Sequence, residues 1–129
     1  MKHTVQISIV TGELPPMFDS MRRETYNEGY RMMERLAVDW ASGEMRFDRA
    51  GELLLAAQLE GMLAGIGGIT LDPVTPGMLR MRRFYIRPAF RRQGVGRTLA
   101  AALLQRSTLA GSAVTVNAGT ADAPAFWEA

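Results

Sequence analysis

Arg91-Arg92-Gln93-Gly94-Val95-Gly96-Arg97-Thr98 decides the fold: two glycines in a basic turn lie between an aromatic, β-rich run and an alanine-leucine helical pattern. Upstream, Leu79 to Ile86 alternates bulky and arginine side chains, and Pro88, which has no N–H for a ladder, ends that strand. Downstream, Val95, Leu99, Leu103 and Leu104 recur at helical spacing, so Gly94 and Gly96 fall at a helix N-terminus. Amides there have no preceding turn to bond to and the helix dipole adds positive potential, so the position favours an anion. A missing Cβ lets such amides close around phosphate oxygens, and the flanking arginines add charge. The parts suit one pyrophosphate.

Other glycine loops fit less well. A Walker A loop needs four residues between its glycines and then Lys-Ser/Thr, whereas one residue separates Gly94 from Gly96 and Arg97 holds the lysine place. A dinucleotide fingerprint wants a third small residue, where Leu99 stands, and an acidic ribose ligand about 20 residues on, where none follows. The remaining alternative is an arginine-rich helix cap whose glycines supply turn geometry alone.

The spacing resembles the acyl-CoA pyrophosphate loop of the GNAT acetyltransferase superfamily, Gln/Arg-x-x-Gly-x-Gly/Ala, here Arg91-x-x-Gly94-x-Gly96. Arg83-Phe84-Tyr85-Ile86-Arg87-Pro88 is similar to the family's "R-L-Y-V-x-P" strand, and Asn117 through Phe126-Trp127-Glu128 to its "N...A..FYE" segment. The resemblance implies an α/β fold of the acyl-CoA N-acyltransferase type, with a mixed, mostly antiparallel sheet flanked by helices. It implies acetyl-CoA as co-substrate, held by Arg91, Arg92, Gln93, Gly94, Val95, Gly96, Arg97 and Thr98. The backbone of Phe84, Tyr85 and Ile86 would face the thioester and pantetheine, and Asn117 would contact the pantetheine arm or cap a turn. The acceptor implied is a small-molecule or peptide amine. The family continues through the rest of a helix and two more strands where this sequence stops at Ala129, so the last strands are expected to be lacking. Either the chain is shortened or a partner, such as a second copy, completes the fold.

Composition permits this reading. A chain of 129 residues, 47% hydrophobic and 22% charged, suffices for one soluble globular domain over 1–129. No apolar run approaches the roughly 20 residues of a membrane span, and the first ten residues alternate like a strand rather than a signal peptide, so a cytoplasmic protein is expected. Without cysteine, disulfides and thiolate catalysis are excluded, and the single histidine, His3, precludes a histidine cluster; no metal is expected. Residues 80 to 106 contain eight arginines and no Lys, Asp or Glu, while residues 1 to 72 carry eleven acids against seven bases. An anionic ligand therefore belongs to the second half. Nucleic acid could use such a patch, but only Phe90 is interleaved among Arg87, Arg91, Arg92 and Arg97, and a compact phosphate site fits better. Arg82 and Arg106 read as a solvated basic face.

Along the chain, Val5, Ile7 and Ile9 alternate as a first strand, and Pro15-Pro16 starts a helix. Met17, Phe18, Met21, Tyr30, Met33, Leu36, Ala37 and Trp40 form a helical core stripe broken at Asn27 to Gly29, giving two helices. Leu53 to Leu59 and Met62 to Leu71 pair around a tight Glu60-Gly61 turn. Gly65, Gly67 and Gly68 imply a bulge or a close backbone approach in the second of these strands. A last strand runs from Ala113 to Val116.

Acetyl transfer to an amine needs a path for the amine proton, a carbonyl polariser and an acid for the thiolate. Where relatives place a phenol this sequence has Trp127, and where some place an acidic base it has Arg80. Glu24, Glu28 and Asp72 are the candidate bases, and Tyr85 is the candidate hydroxyl. A non-catalytic CoA-binding protein of the same fold is the second reading, and a basic nucleic-acid-binding module the third.

Overall fold

A computed structural model of the protein describes residues 4–72, 74–106 and 114–116, the last three by their backbone. The alternating segment forms β1 (Val5–Ile9), and the broken apolar stripe forms α1 (Phe18–Asn27) and α2 (Met32–Ser42). Then come β2 (Leu53–Leu59), β3 (Met62–Leu71), β4 (Leu79–Ile86), a 3-10 turn at Pro88–Phe90, α3 (Val95–Arg106) and β5 (Val114–Val116). The strands lie in the order β1-β2-β3-β4-β5. The first four are antiparallel, and β5 runs parallel to β4 because α3 carries the chain back across the sheet. This is the mixed, mostly antiparallel sheet that the family resemblance implies.

Side-chain alternation along β2 separates two cores. Leu53, Leu55 and Ala57 face α3 and pack with Ile69, Leu79, Met81, Ile86, Val95, Leu99 and Leu103. Leu54 and Ala56 face the other way, against Met21, Met33, Leu36 and Trp40 of the helical pair, with Ile66 and Tyr85. Trp40 also donates its indole N–H to the Gly12 carbonyl at 2.9 Å, closing the loop after β1 onto α2. Pro15-Pro16 lies one step outside α1: the Phe18 N–H bonds the Pro15 carbonyl in a turn, and Met17 stands at the N-cap with φ 71°. That left-handed residue turns its side chain away from the core, so Met17 is exposed although it belongs to the apolar stripe.

Both turn residues of the β2–β3 hairpin have positive φ, 54° at Glu60 and 77° at Gly61, the conformation that matches the twist of two-residue hairpins. The glycines of β3 serve both uses the sequence allows. Across to β4, Ile66 pairs with Tyr85 and Gly68 with Arg82, leaving Gly67 opposite two residues, Arg83 and Phe84. The extra residue makes a bulge, and Arg83 takes φ 57° within it. Gly67 permits this because a Cβ there would lie 2.8 Å from the Phe84 ring and 3.2 Å from a Leu103 methyl. On the opposite face, the Phe47 ring lies across Gly68 where a Cβ would stand.

Gly67→Ala is expected to destabilise the protein by about 1–3 kcal/mol through overpacking against Phe84 and Leu103. Urea unfolding measures this, and adding Phe84→Leu should return part of the loss by giving the new methyl room.

Candidate active site

The bulge sets the first part of the site. β5 pairs with β4 only from Leu79 to Met81, so among the described residues β4 has no β5 partner from Arg82 onward. Backbone groups alternate in direction along a strand, so those of Tyr85 turn toward Ile66 of β3 and those of Phe84 and Ile86 away from it, the Ile86 carbonyl accepting Arg91 Nε at 3.0 Å. On the β3 side the antiparallel pairing continues to Gly65–Ile86, and the Arg87 N–H still bonds the Ala64 carbonyl at 2.8 Å. Among the described residues, the strand beyond Met81 is therefore laddered from the β3 side alone.

The second part follows Pro88. The 3-10 turn leads into a loop in which Arg92 and Gly94 both have positive φ, 65° and 81°. The Gln93 side chain donates to the Ala89 carbonyl at 3.2 Å, bracing the loop. α3 then starts with Val95 and Gly96 buried. Both the Thr98 amide and its hydroxyl bond the Gly94 carbonyl, at 3.0 and 2.9 Å, so the amides of the first turn have no earlier carbonyl within the helix. A Cβ on Gly94 would meet nothing within 4 Å. The space outside that turn is open, and a side chain at Gly94 would project into it.

Two carboxylates on α1 bind this loop. Glu24 and Glu28 are one helical turn apart and share a face. Arg87, 8% exposed, donates to Glu24 at 2.8 and 3.1 Å and to the Leu63 carbonyl at 3.0 Å. Arg91 donates to Glu28 at 2.8 and 3.0 Å and to the Ile86 carbonyl at 3.0 Å. The Tyr85 hydroxyl also donates to Glu28. Arg91, whose motif position points to phosphate, is thus turned onto α1, with its guanidinium 5.4 Å from the Tyr85 ring centroid.

These contacts set the protonation states. Partial burial pushes the Glu28 carboxyl up, but the hydrogen bonds from Arg91 and Tyr85 and the charge of Arg91 outweigh it and hold the group below its ordinary range. Burial and then the Glu28 hydrogen bond push the Tyr85 hydroxyl up, so it keeps its proton. Asp72 caps the β3–β4 turn, accepting the Val74 and Thr75 amides at 2.8 and 3.1 Å, which hold it low. It lies beyond the Leu71–Leu79 pair, six residues of β4 or about 20 Å from Tyr85. The four candidate proton carriers therefore divide: Glu24, Glu28 and Tyr85 come together and Asp72 stands apart. Asn117 and Trp127 lie outside the described residues, as does His3.

A third group was not singled out by the sequence. Arg83 reaches from the bulge to Asp39 on α2, Nη2 to Oδ2 at 3.4 Å, with only 8% of its side chain exposed. Burial, then the charge of neighbouring Arg82, lowers its proton affinity; Asp39 opposes this and Arg35 adds to it. The only signal in the sequence was an arginine block too dense for its own stretch of chain. Among the described residues no group of three or more His, Cys, Asp or Glu is arranged to hold a metal. None of the described helices is long and apolar enough to cross a membrane.

A model of the acetyltransferase (GNAT) family matches residues 14–128, and the chain belongs to that family. Acyl transfer is the chemistry that accompanies this membership. Among similar solved structures, one from Exiguobacterium sp. 255-15, described as an acetyltransferase, has a TM-score of 0.82 at 20% identity, covering 92% of this chain and 79% of its own. A predicted acetyltransferase from Clostridium acetobutylicum, solved with acetyl-CoA, has a TM-score of 0.62 at 12% identity, covering 97% and 88%. An aminoglycoside N-acetyltransferase in complex with CoA has a TM-score of 0.61 at 15% identity, covering 90% and 77%. No curated relative matches the sequence. At such identities the likeness is one of fold, the acyl-CoA N-acyltransferase fold that the glycine loop led us to expect.

Glu28→Gln should cost about 1 kcal/mol at neutral pH, given that the ion pair is partly exposed and shares its carboxylate with Tyr85. Because the folded state lowers the carboxyl's affinity for protons, its contribution is present above the ordinary value of 4.5 and is lost as pH falls through the lower folded value. Denaturant midpoints of wild type and variant should accordingly differ at pH 7 and converge in acid.

Proposed function

We propose that the protein is an N-acetyltransferase that moves the acetyl group of acetyl-CoA to a primary amine of a small molecule or peptide. The observation that carries this reading is the juxtaposition of the bulged end of β4, beyond its described pairing with β5, with a glycine-marked helix N-terminus a few residues later on the same chain. Acetyl-CoA supplies an activated acyl thioester. The amides of Gly94, Val95 and Gly96 and the side chains of Arg92 and Arg97 are suited to its phosphates, and the backbone of Phe84 to Ile86 to its thioester carbonyl and pantetheine amides.

The reaction forms a C–N bond between amine and carbonyl carbon and breaks the C–S bond. The amine must arrive neutral, the proton it sheds passes to water, and the departing thiolate takes a proton from solvent. None of the four candidate proton carriers is poised as a free base: Glu24 is engaged by Arg87, Glu28 by Arg91 and Tyr85, and Asp72 by its own turn. Catalysis here rests on positioning and on backbone donors aimed at developing charge. Tyr85 and Glu28 fix the wall of the site instead of exchanging protons. The same occupied carboxylates favour one alternative, a CoA-binding protein of this fold without turnover. Three arginines of the basic block are neutralised within the fold by Glu24, Glu28 and Asp39, which weakens the nucleic-acid reading.

Thiol release from acetyl-CoA across a panel of amines tests the assignment; tight acetyl-CoA binding with no thiol release from any amine selects the non-catalytic alternative. Gly94→Val should weaken CoA binding by tenfold or more in calorimetric titration while circular dichroism stays native, since its side chain projects into the space before the helix. CoA affinity within twofold of wild type in the folded variant would remove this loop from the site. On an accepted amine, kcat/KM should rise with pH in a single limb whose midpoint follows the amine's own pKa. A midpoint that stays fixed across amines of different basicity would assign the titration to an enzyme base.

A further inference from the structure

The face of the sheet under α2 carries more positive charge than the fold uses. Thr70 and Arg82 lie diagonally across the β3–β4 ladder on the face of Gly68, since Gly68 pairs with Arg82 and Thr70 with Arg80. The Thr70 hydroxyl and the Arg82 Nε are both buried without a hydrogen-bond partner. Native folds rarely leave such groups unsatisfied. Beside them Arg83 crosses to Asp39 through a single 3.4 Å contact, and Arg35 stands one turn before Asp39 on α2. Arg35 and Arg82 are both close enough to Arg83 to act on it electrostatically beside Asp39. Glu52, whose Oε2 accepts the Leu71 amide at 3.3 Å and whose Oε1 is also buried without a partner, is the second carboxylate of this face, so three guanidiniums meet two acids.

The geometry points to an oxyanion subsite for the acceptor, formed by Arg82, Arg83 and Thr70 with Arg35 at its rim, so that the amine acetylated is one that carries a carboxylate or phosphate. The claim rests on the acetyltransferase reading for its connection to chemistry: Arg83 directly precedes the Phe84–Ile86 backbone assigned to the thioester, at about 3.3 Å of strand per residue. An oxyanion held by the cluster therefore has its amine within a short span of that backbone. Arg82 and Thr70 supply donors that the protein does not otherwise consume, and Arg83 supplies charge already desolvated, which strengthens its attraction for an anion. The same surplus repels polycationic amines. Acceptor selection would thus differ in sign from that of an enzyme acting on aminoglycosides.

Two measurements separate this inference from the reading beneath it. In CoA-saturated protein, inorganic phosphate is titrated while the arginine Nε–H resonances are followed by NMR; the Arg82 and Arg83 signals should shift saturably, and Arg82→Met should abolish the Arg83 shift. Thiol release is then compared over matched acceptors: amino acids, their amides, aminoalkyl phosphates and a polyamine. At least a tenfold higher kcat/KM is expected for an anionic member over its neutral partner, with the ratio collapsing in Arg82→Met and falling in Arg35→Met, whose site is on the exposed surface of α2. Preference for carboxylate or phosphate identifies the natural oxyanion. Turnover without anionic preference, or resonances that phosphate leaves unmoved, overturns the subsite while leaving acetyl transfer intact. Saturable phosphate binding at Arg82 and Arg83 with no turnover of any amine keeps the subsite and overturns the catalytic reading.

Discussion

The pairing of two carboxylates one turn apart on α1 with two arginines on either side of the Pro88 turn fixes the relation of everything else around the site. Glu24 holds Arg87, and Glu28 holds Arg91 together with the Tyr85 hydroxyl. One helix is thereby anchored at once to the end of β4 and to the loop that opens α3. A buried guanidinium such as Arg87 is tolerable only with its donors satisfied, and here a carboxylate and the Leu63 carbonyl satisfy them. Loss of either acid would loosen the joint between the helical pair and the strand, not merely remove a surface charge.

The sheet supplies the second constraint. β3 gives up side chains at three glycines, and in return β4 kinks beside Gly67 and Phe47 packs flat over Gly68. The kink coincides with the point where β4 is no longer paired to β5. Among the described residues, β4 beyond this point is laddered on the β3 side alone. The irregularity is thus what distinguishes β4 from the other strands of an otherwise ordinary meander.

What the sequence made legible was local. Alternation, helical spacing and the Glu60-Gly61 turn place the described strands and α-helices to within about three residues, because burial on one face leaves a period that can be read directly. The glycine loop between β4 and α3 was legible for the same reason, since its mechanism lies in consecutive residues. The partners of the arginines were not. Glu24 to Arg87, Glu28 to Arg91 and Asp39 to Arg83 join residues 63, 63 and 44 positions apart, and nothing in a linear charge count says which acid meets which base. The basic second half looked like a surface awaiting an anion, yet part of its charge is spent within the fold, and Arg82, read as solvated, has a buried nitrogen.

The order of the strands carries a consequence for how the protein reaches this state. β2, β3 and β4 follow one another in a meander of short connections, whereas β1 must wait for 43 intervening residues between Ile9 and Leu53 before it can pair with β2. Local hairpins close at low entropic cost, and distant pairings close later. The meander, with its bulge, is then the early-forming piece, and the helical pair lands on a strand already kinked. The acids of α1 find their arginines only at that last docking. Assembly of the site and completion of the fold are on this account one event, and a chain caught before it would hold its glycine loop without the helix that positions it.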